Sequence, residues 1–218
     1  MKKNLTEMVF ILDKSGSMAG MEQDTVGGFN AMIQKQKREE GGALVSTVLF
    51  SDASTVIHDR AELGKIEPLT EKQYFVGGCT ALYDAVGDAI RHIGNVHKYA
   101  REEDRPEKTV FVITTDGMEN ASRRYSAGEV KRLITRQKEK YGWEFLFLGA
   151  NIDAQSVADG MGISEERSAC FVNDPMGNAL KYEGISYAVS AVRAKKCLRT
   201  EWKKTMEEDC RSREKRNG

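Results

Sequence analysis

Short unbroken apolar runs recur along this chain, separated by stretches with helical spacing. Met8-Val9-Phe10-Ile11-Leu12, Ala43 to Phe50, Thr109 to Thr114 and Phe145 to Leu148 lack a regular polar alternation. A strand of that kind is buried on both faces, as in the centre of a parallel sheet. Between the runs, Phe29, Met32 and Ile33 mark a helix over about Gly28 to Arg38, which Gly41-Gly42 stops. Ala81, Leu82, Ala85, Val86, Ala89, Ile90 and Ile93 form a second stripe, and Val130, Leu133 and Ile134 a third, within Ser126 to Lys140. Ser156 to Met161 reads as a short helix, Ala169 to Val172 as a last strand and Ala179 to Leu198 as a final helix. Ser54 to His58 follows the second run after a few residues, which predicts a hairpin and one antiparallel edge strand. The pattern predicts a three-layer α/β fold, with a mostly parallel sheet and helices on both faces.

Composition sets the limits of function. The chain has 218 residues, 40% of them apolar and 30% charged, enough for one well-packed core. We expect a single domain over residues 1–198 and a charged tail or helix extension over 199–218, where 12 of 20 residues are charged with mixed sign. The 33 Lys+Arg balance 33 Asp+Glu, so no basic footprint for nucleic acid is visible. No segment approaches the ~18 apolar residues of a membrane span, and the run after Lys2-Lys3 is too short for a secretory signal. Cys79, Cys170, Cys197 and Cys210 form no C-x-x-C pair and read as reduced thiols, which fits a cytoplasmic protein. His58, His92 and His97 show no zinc pattern.

In an open parallel sheet, ligands bind beyond the carboxyl ends of the strands. Those ends carry Asp13, Ser15 and Ser17, then Ser51 and Asp52, then Thr115, Asp116, Glu119 and Asn120, then Asn151 and Asp153, then Asn173 and Asp174. Thr80 opens a helix on the same edge. The edge is rich in oxygen donors and poor in His and Cys, a preference for Mg²⁺, Mn²⁺ or Ca²⁺. Residues of these types also cap helices and make turns, so composition alone does not define a site. Spacing adds more. Asp13-x-Ser15-x-Ser17 lies on a tight turn with Gly16 between the serines, so alternate side chains can face one ion.

The segments FILDKSGSM, GGCTALYDA and ITTDGMEN resemble the three pieces of the metal-ion-dependent adhesion site of von Willebrand factor A domains. The resemblance runs from about Met8 to Val172, and within the family the chain looks closest to stand-alone bacterial members of the tellurium-resistance-associated kind. It implies the Rossmann-like fold of that family and a divalent cation held by Asp13, Ser15, Ser17, Thr80 and Asp116. It also implies a division of labour. Ser15 and Ser17 would bind the ion directly, and Asp13 and Asp116 directly or through water. Thr80 would alternate between the two modes, and a Glu or Asp of a partner protein would complete the shell. Neutral hydroxyls leave much of the ion's charge uncompensated, which favours an incoming carboxylate.

Glu119, Asn151 and Asp153 are candidates for contact with that partner, with turn and helix-capping roles as the alternative. Cys79 reads as a small packing residue, and Tyr182, Ile185, Val189 and Val192 as the core face of the last helix. Enzyme readings fare worse. Ser17 lacks the G-x-S-x-G context, and no G-x-G-x-x-G follows the first strand. A Mg²⁺-dependent phosphohydrolase with Asp13 as nucleophile would want a second Asp two residues on, where Ser15 stands. We therefore expect a non-enzymatic, metal-dependent protein-binding module. The alternatives are that phosphohydrolase and a structural subunit with an unused metal site.

Overall fold

The computed structural model describes residues 1–150 and 152–217. Six strands form one sheet: β1 (Lys2–Asp13), β2 (Gly42–Phe50), β3 (Ser54–Glu62), β4 (Pro106–Thr115), β5 (Glu144–Gly149) and β6 (Ser168–Cys170). Their order is β3-β2-β1-β4-β5-β6. All neighbours are parallel except β2 and β3, so the expected antiparallel strand lies at the edge. The helices are α1 (Glu22–Gln36), α2 (Leu82–Tyr99), α3 (Ala127–Tyr141), α4 (Ala154–Gly160), α5 (Pro175–Arg193) and α6 (Lys204–Asn217).

The pleat sorts consecutive apolar residues of the central strands into two cores. Met8, Phe10 and Leu12 of β1, Val110 and Val112 of β4, and Leu146 and Leu148 of β5 pack under α1, α5 and α6. Val9 and Ile11, Phe111 and Ile113, and Phe145 and Phe147 pack under α2, α3 and α4. Continuous apolar runs are thus the signature of a sheet covered twice, and the three-layer expectation holds.

Several boundaries differ from the sequence reading, among them β3, which runs on to Glu62, and β4, which begins at Pro106. β1 begins at Lys2, because β2 and β4 extend its ladder into polar residues. α1 begins at Glu22 and runs through Gly27-Gly28. Gly28 marks a close helix contact: a Cβ there would lie 2.2 Å from the Tyr182 ring of α5. α5 begins at Pro175, with Asp174 accepting from Gly177 N–H as its N-cap, and ends at Arg193. The Tyr182, Ile185, Val189 and Val192 stripe is buried as expected.

The charged segment after Arg199 has a packed inner face. Trp202, Met206 and Cys210 are buried, Trp202 and Met206 joining the α1/α5 core. Lys203 is also buried, its amine donating to the carbonyls of Glu165 and Ser168 at 2.7 and 2.9 Å. Lys204, Glu208 and Arg211 are exposed on the outer face of α6, which is why composition alone suggests a solvated arm.

Candidate metal centre

β1 and β4 are neighbours whose following helices cover opposite faces of the sheet. Their carboxyl ends therefore flank the point where the topology reverses, the ligand crevice of open α/β sheets. Asp13 ends β1, and Asp116 follows the last residue of β4. Both are buried.

The Asp13 carboxylate is fixed at both oxygens. Oδ1 accepts from Ser15 N–H at 2.7 Å and Oδ2 from the Thr115 hydroxyl at 2.6 Å. The first bond closes the turn that carries the serines. The Ser15 and Ser17 hydroxyls then stand 3.1 Å apart, and Ser17 Oγ donates to Asp116 Oδ1. Thr80 completes the group. A Cβ placed on Gly117 would lie 3.3 Å from Ser17 Oγ and 3.4 Å from Thr80 Oγ1, so both hydroxyls border one small volume. The five residues that the resemblance implies are thus brought together by three loops.

Those loops brace one another. Gly16 N–H donates to the Gly78 carbonyl at 3.0 Å and Gly77 N–H to the Lys14 carbonyl at 2.9 Å. Thr80 N–H donates to Asn120 Oδ1 at 2.9 Å, while Asn120 N–H returns to the Thr80 carbonyl at 3.1 Å. Gly78 has φ +83°, and a Cβ there would fall 2.0 Å from Asp52 Oδ2. Gly78→Ala should therefore cost about 1–3 kcal/mol from backbone strain alone, read as a lower melting temperature. An unchanged melt would mean that the loop relaxes freely.

Burial first, then the charge of Asp13, raises the Asp116 carboxyl above its usual range, with the Ser17 hydroxyl pulling the other way. Two buried acids that repel each other, surrounded by neutral hydroxyls, form a donor set that suits a hard divalent cation. Among the described residues, no group of three or more His, Cys, Asp or Glu side chains could hold a metal.

The other candidates are placed differently. Glu119 is spent internally: it accepts from the backbone N–H groups of Tyr83, Ala121 and Ser122 and from the Ser122 hydroxyl, at 2.7–3.0 Å. Asp153 caps α4 by accepting from Ser156 N–H at 3.0 Å. Asn151 lies outside the described residues. Cys79 is exposed, correcting the packing expectation. It sits on the raised Gly77-Gly78 loop, tied down by its backbone N–H to Asp52 Oδ1 at 3.0 Å rather than by its side chain.

Two contributors went unassigned in the sequence reading. Thr115 orients Asp13, and Asn173 donates from Nδ2 to Asp116 Oδ2 at 2.7 Å. Both stand at strand ends, the position that flagged the rest.

No protein-family model matches the chain, and no curated protein matches its sequence. Solved structures do match its fold. Proximal thread matrix protein 1 of the mussel byssus, with its MIDAS motif occupied by zinc, superposes with a TM-score of 0.60 at 17% identity, over 85% of this chain and 46% of that one. Manganese-loaded TRAP protein of Plasmodium vivax gives 0.56 at 14% identity, over 83% and 73%. The vWF domain of the type V pili tip protein Mfa5 of Porphyromonas gingivalis gives 0.59 at 8% identity, over 84% and 94%. The chain spans about half the length of the mussel protein. At these identities the likeness establishes the fold, which is that of von Willebrand factor A domains.

Proposed function

We propose that this chain is a von Willebrand factor A-like domain that holds a divalent cation, Mg²⁺ or else Mn²⁺ or Ca²⁺, and uses it to bind a protein partner. Asp13, Ser15, Ser17, Thr80 and Asp116 would hold the ion, and a Glu or Asp of the partner would complete its shell. The observation that carries this reading is the unbroken Ser15–Ser17–Asp116 contact at the topological switch point, with the Thr80 hydroxyl on the same volume. The zinc- and manganese-bearing structures with this fold support a cation at such a place. Exposed Phe75 and Met118, on the surrounding loops, and Met176, in the first turn of α5, would meet apolar groups beside the partner's carboxylate.

The reading is non-enzymatic. Ser15, two residues after Asp13 where a phosphohydrolase would want its general acid, cannot protonate a leaving group. Among the described residues no helix is long and apolar enough to cross a membrane. A cytoplasmic placement is proposed from the cysteines alone. A kinship with stand-alone bacterial members belongs to the same proposal.

The test is affinity capture from a lysate of the source cell with Mg²⁺, with EDTA, and with the Asp116→Ala protein. Partners lost under both EDTA and the substitution are the expected result. Partners retained in all three conditions would remove the metal from the binding surface.

A further inference from the structure

A lysine lies where the apolar stripe of α5 predicts a core residue. Lys181 is four residues before Ile185 and eight before Val189, and it is 1% exposed. Its amine sits 4.5 Å from the centre of the Phe171 ring and 4.7 Å from that of Tyr182, and it donates to Asn178 Oδ1. Burying an ammonium costs several kcal/mol unless nearby groups compensate it. An apolar residue would fill the same place without that cost.

The compensation leads to the candidate metal centre. Asn178 donates from Nδ2 to Asn173 Oδ1 at 3.2 Å, and Asn173 donates from Nδ2 to Asp116 Oδ2 at 2.7 Å. The direction of this relay is set at its buried end. An ammonium only donates, so Asn178 must turn its carbonyl toward it and its amide N–H₂ toward Asn173. Asn173 must then present its own N–H₂ to Asp116. One Asp116 oxygen is thereby held by Asn173, and the other is left to Ser17.

The charged groups around the amine are Asp13 at the end of β1 and Asp116 after β4. Two phenols are nearby in the same core. Burial raises Tyr182 on α5 and, with Tyr182, Asp13 and Asp116, raises Tyr74 on the loop before α2, so both stay neutral. α1 presents Val26, Phe29 and Met32 to this core. Arg213 of α6 is engaged by Asp174 and Asp209. The cation whose charge acts on Asp116 is Lys181.

We propose that Lys181 is the positioning residue of Asp116, acting through Asn178 and Asn173, and the built-in countercharge of the centre, which gives up its proton when a divalent cation enters. The inference rests on the metal-binding reading above. Burial brings the Lys181 amine down to about 7, against the upward pull of Asp116 and Asp13. A cation between the acids cancels that pull and repels the ammonium, moving it lower still. Cation affinity then rises as pH increases through about 7, because the competing proton is lost.

The experiment is calorimetric titration with Mn²⁺ at pH 7 in two buffers of different ionisation enthalpy, which counts the protons released per ion. Measurable proton release is expected from the wild type, since a group titrating near 7 is partly protonated there. Lys181→Met should bind Mn²⁺ several-fold more tightly at pH 6 and release at least threefold fewer protons. Lys181→Gln keeps a donor for Asn178 without the charge. Its proton release should match that of Lys181→Met, but it should bind Mn²⁺ more tightly than the methionine variant, which loses the relay's donor along with the charge; it also serves if the methionine variant fails to fold. Equal proton release from the wild type and a folded, Mn²⁺-binding variant overturns the inference while leaving the metal site standing. A wild type that binds no Mn²⁺ overturns the metal-binding reading itself.

Discussion

Asp13→Asn should leave the fold intact and lower Mn²⁺ affinity by at least about a hundredfold, equivalent to about 2.7 kcal/mol. The geometry separates the two effects. Asp13 Oδ1 accepts from Ser15 N–H, and an asparagine carbonyl in the same place keeps that bond. Oδ2 accepts from the Thr115 hydroxyl, which can rotate and accept from an asparagine N–H₂ instead. The turn carrying Ser15 and Ser17 therefore persists. The charge is what disappears, and it is one of only two carboxylates in the centre. With Asp116 alone facing the ion, three hydroxyls offer no charge to balance the remainder. Mn²⁺ titration and a thermal melt of the same sample check both halves. A melt within a few degrees of wild type with unchanged Mn²⁺ affinity would mean that the ion sits elsewhere. Wild-type protein supplied with Mg²⁺ and a generic phosphomonoester is expected to show no turnover. Hydrolysis that Asp13→Asn abolishes would instead favour the phosphohydrolase alternative.

What the sequence makes legible here follows from how each feature is encoded. The central strands are readable because burial on both faces demands continuous apolar residues, and Met8–Leu12 and Phe145–Leu148 meet that demand. Their polar extensions are not, since Lys2 to Thr6 is a strand only because β2 and β4 pair with it. The five oxygen donors are readable because a tight turn imposes the i, i+2, i+4 spacing on Asp13, Ser15 and Ser17, while Gly-Gly and Thr-Asp-Gly mark the partner loops. The groups behind them follow no local pattern. Asn173 and Lys181 reach Asp116 across the fold, and the only local trace of Lys181 is a charge in register with Ile185 and Val189. Gly28 misleads for a related reason. A glycine that admits a neighbouring ring looks, in sequence, like one that ends or begins a helix.

Trp202→Ala should destabilise the protein by about 3–5 kcal/mol, a large share of the 5–15 kcal/mol that holds a typical domain together. Trp202 is 3% exposed, packs into the core shared by α1 and α5, and donates its indole N–H to the Glu166 carbonyl at 3.1 Å. Truncation to alanine opens a cavity between α5 and the segment before β6, and it leaves that carbonyl without its indole donor. The surroundings have little room to collapse. Gly184 of α5 admits the Trp202 carbonyl so closely that a Cβ there would lie 2.6 Å from it, while Lys203 pins the next residue to Glu165 and Ser168. For a chain of this size the loss corresponds to a fall of roughly 10 °C in melting temperature. Glu208→Ala, on the exposed outer face of α6, should shift the melt by about 1 °C or less. The comparison decides what the charged C-terminal segment is. Equal melts for the two variants would make it a detachable arm, whereas the expected gap makes it the outer wall of the core that also holds Lys181 behind the candidate metal centre.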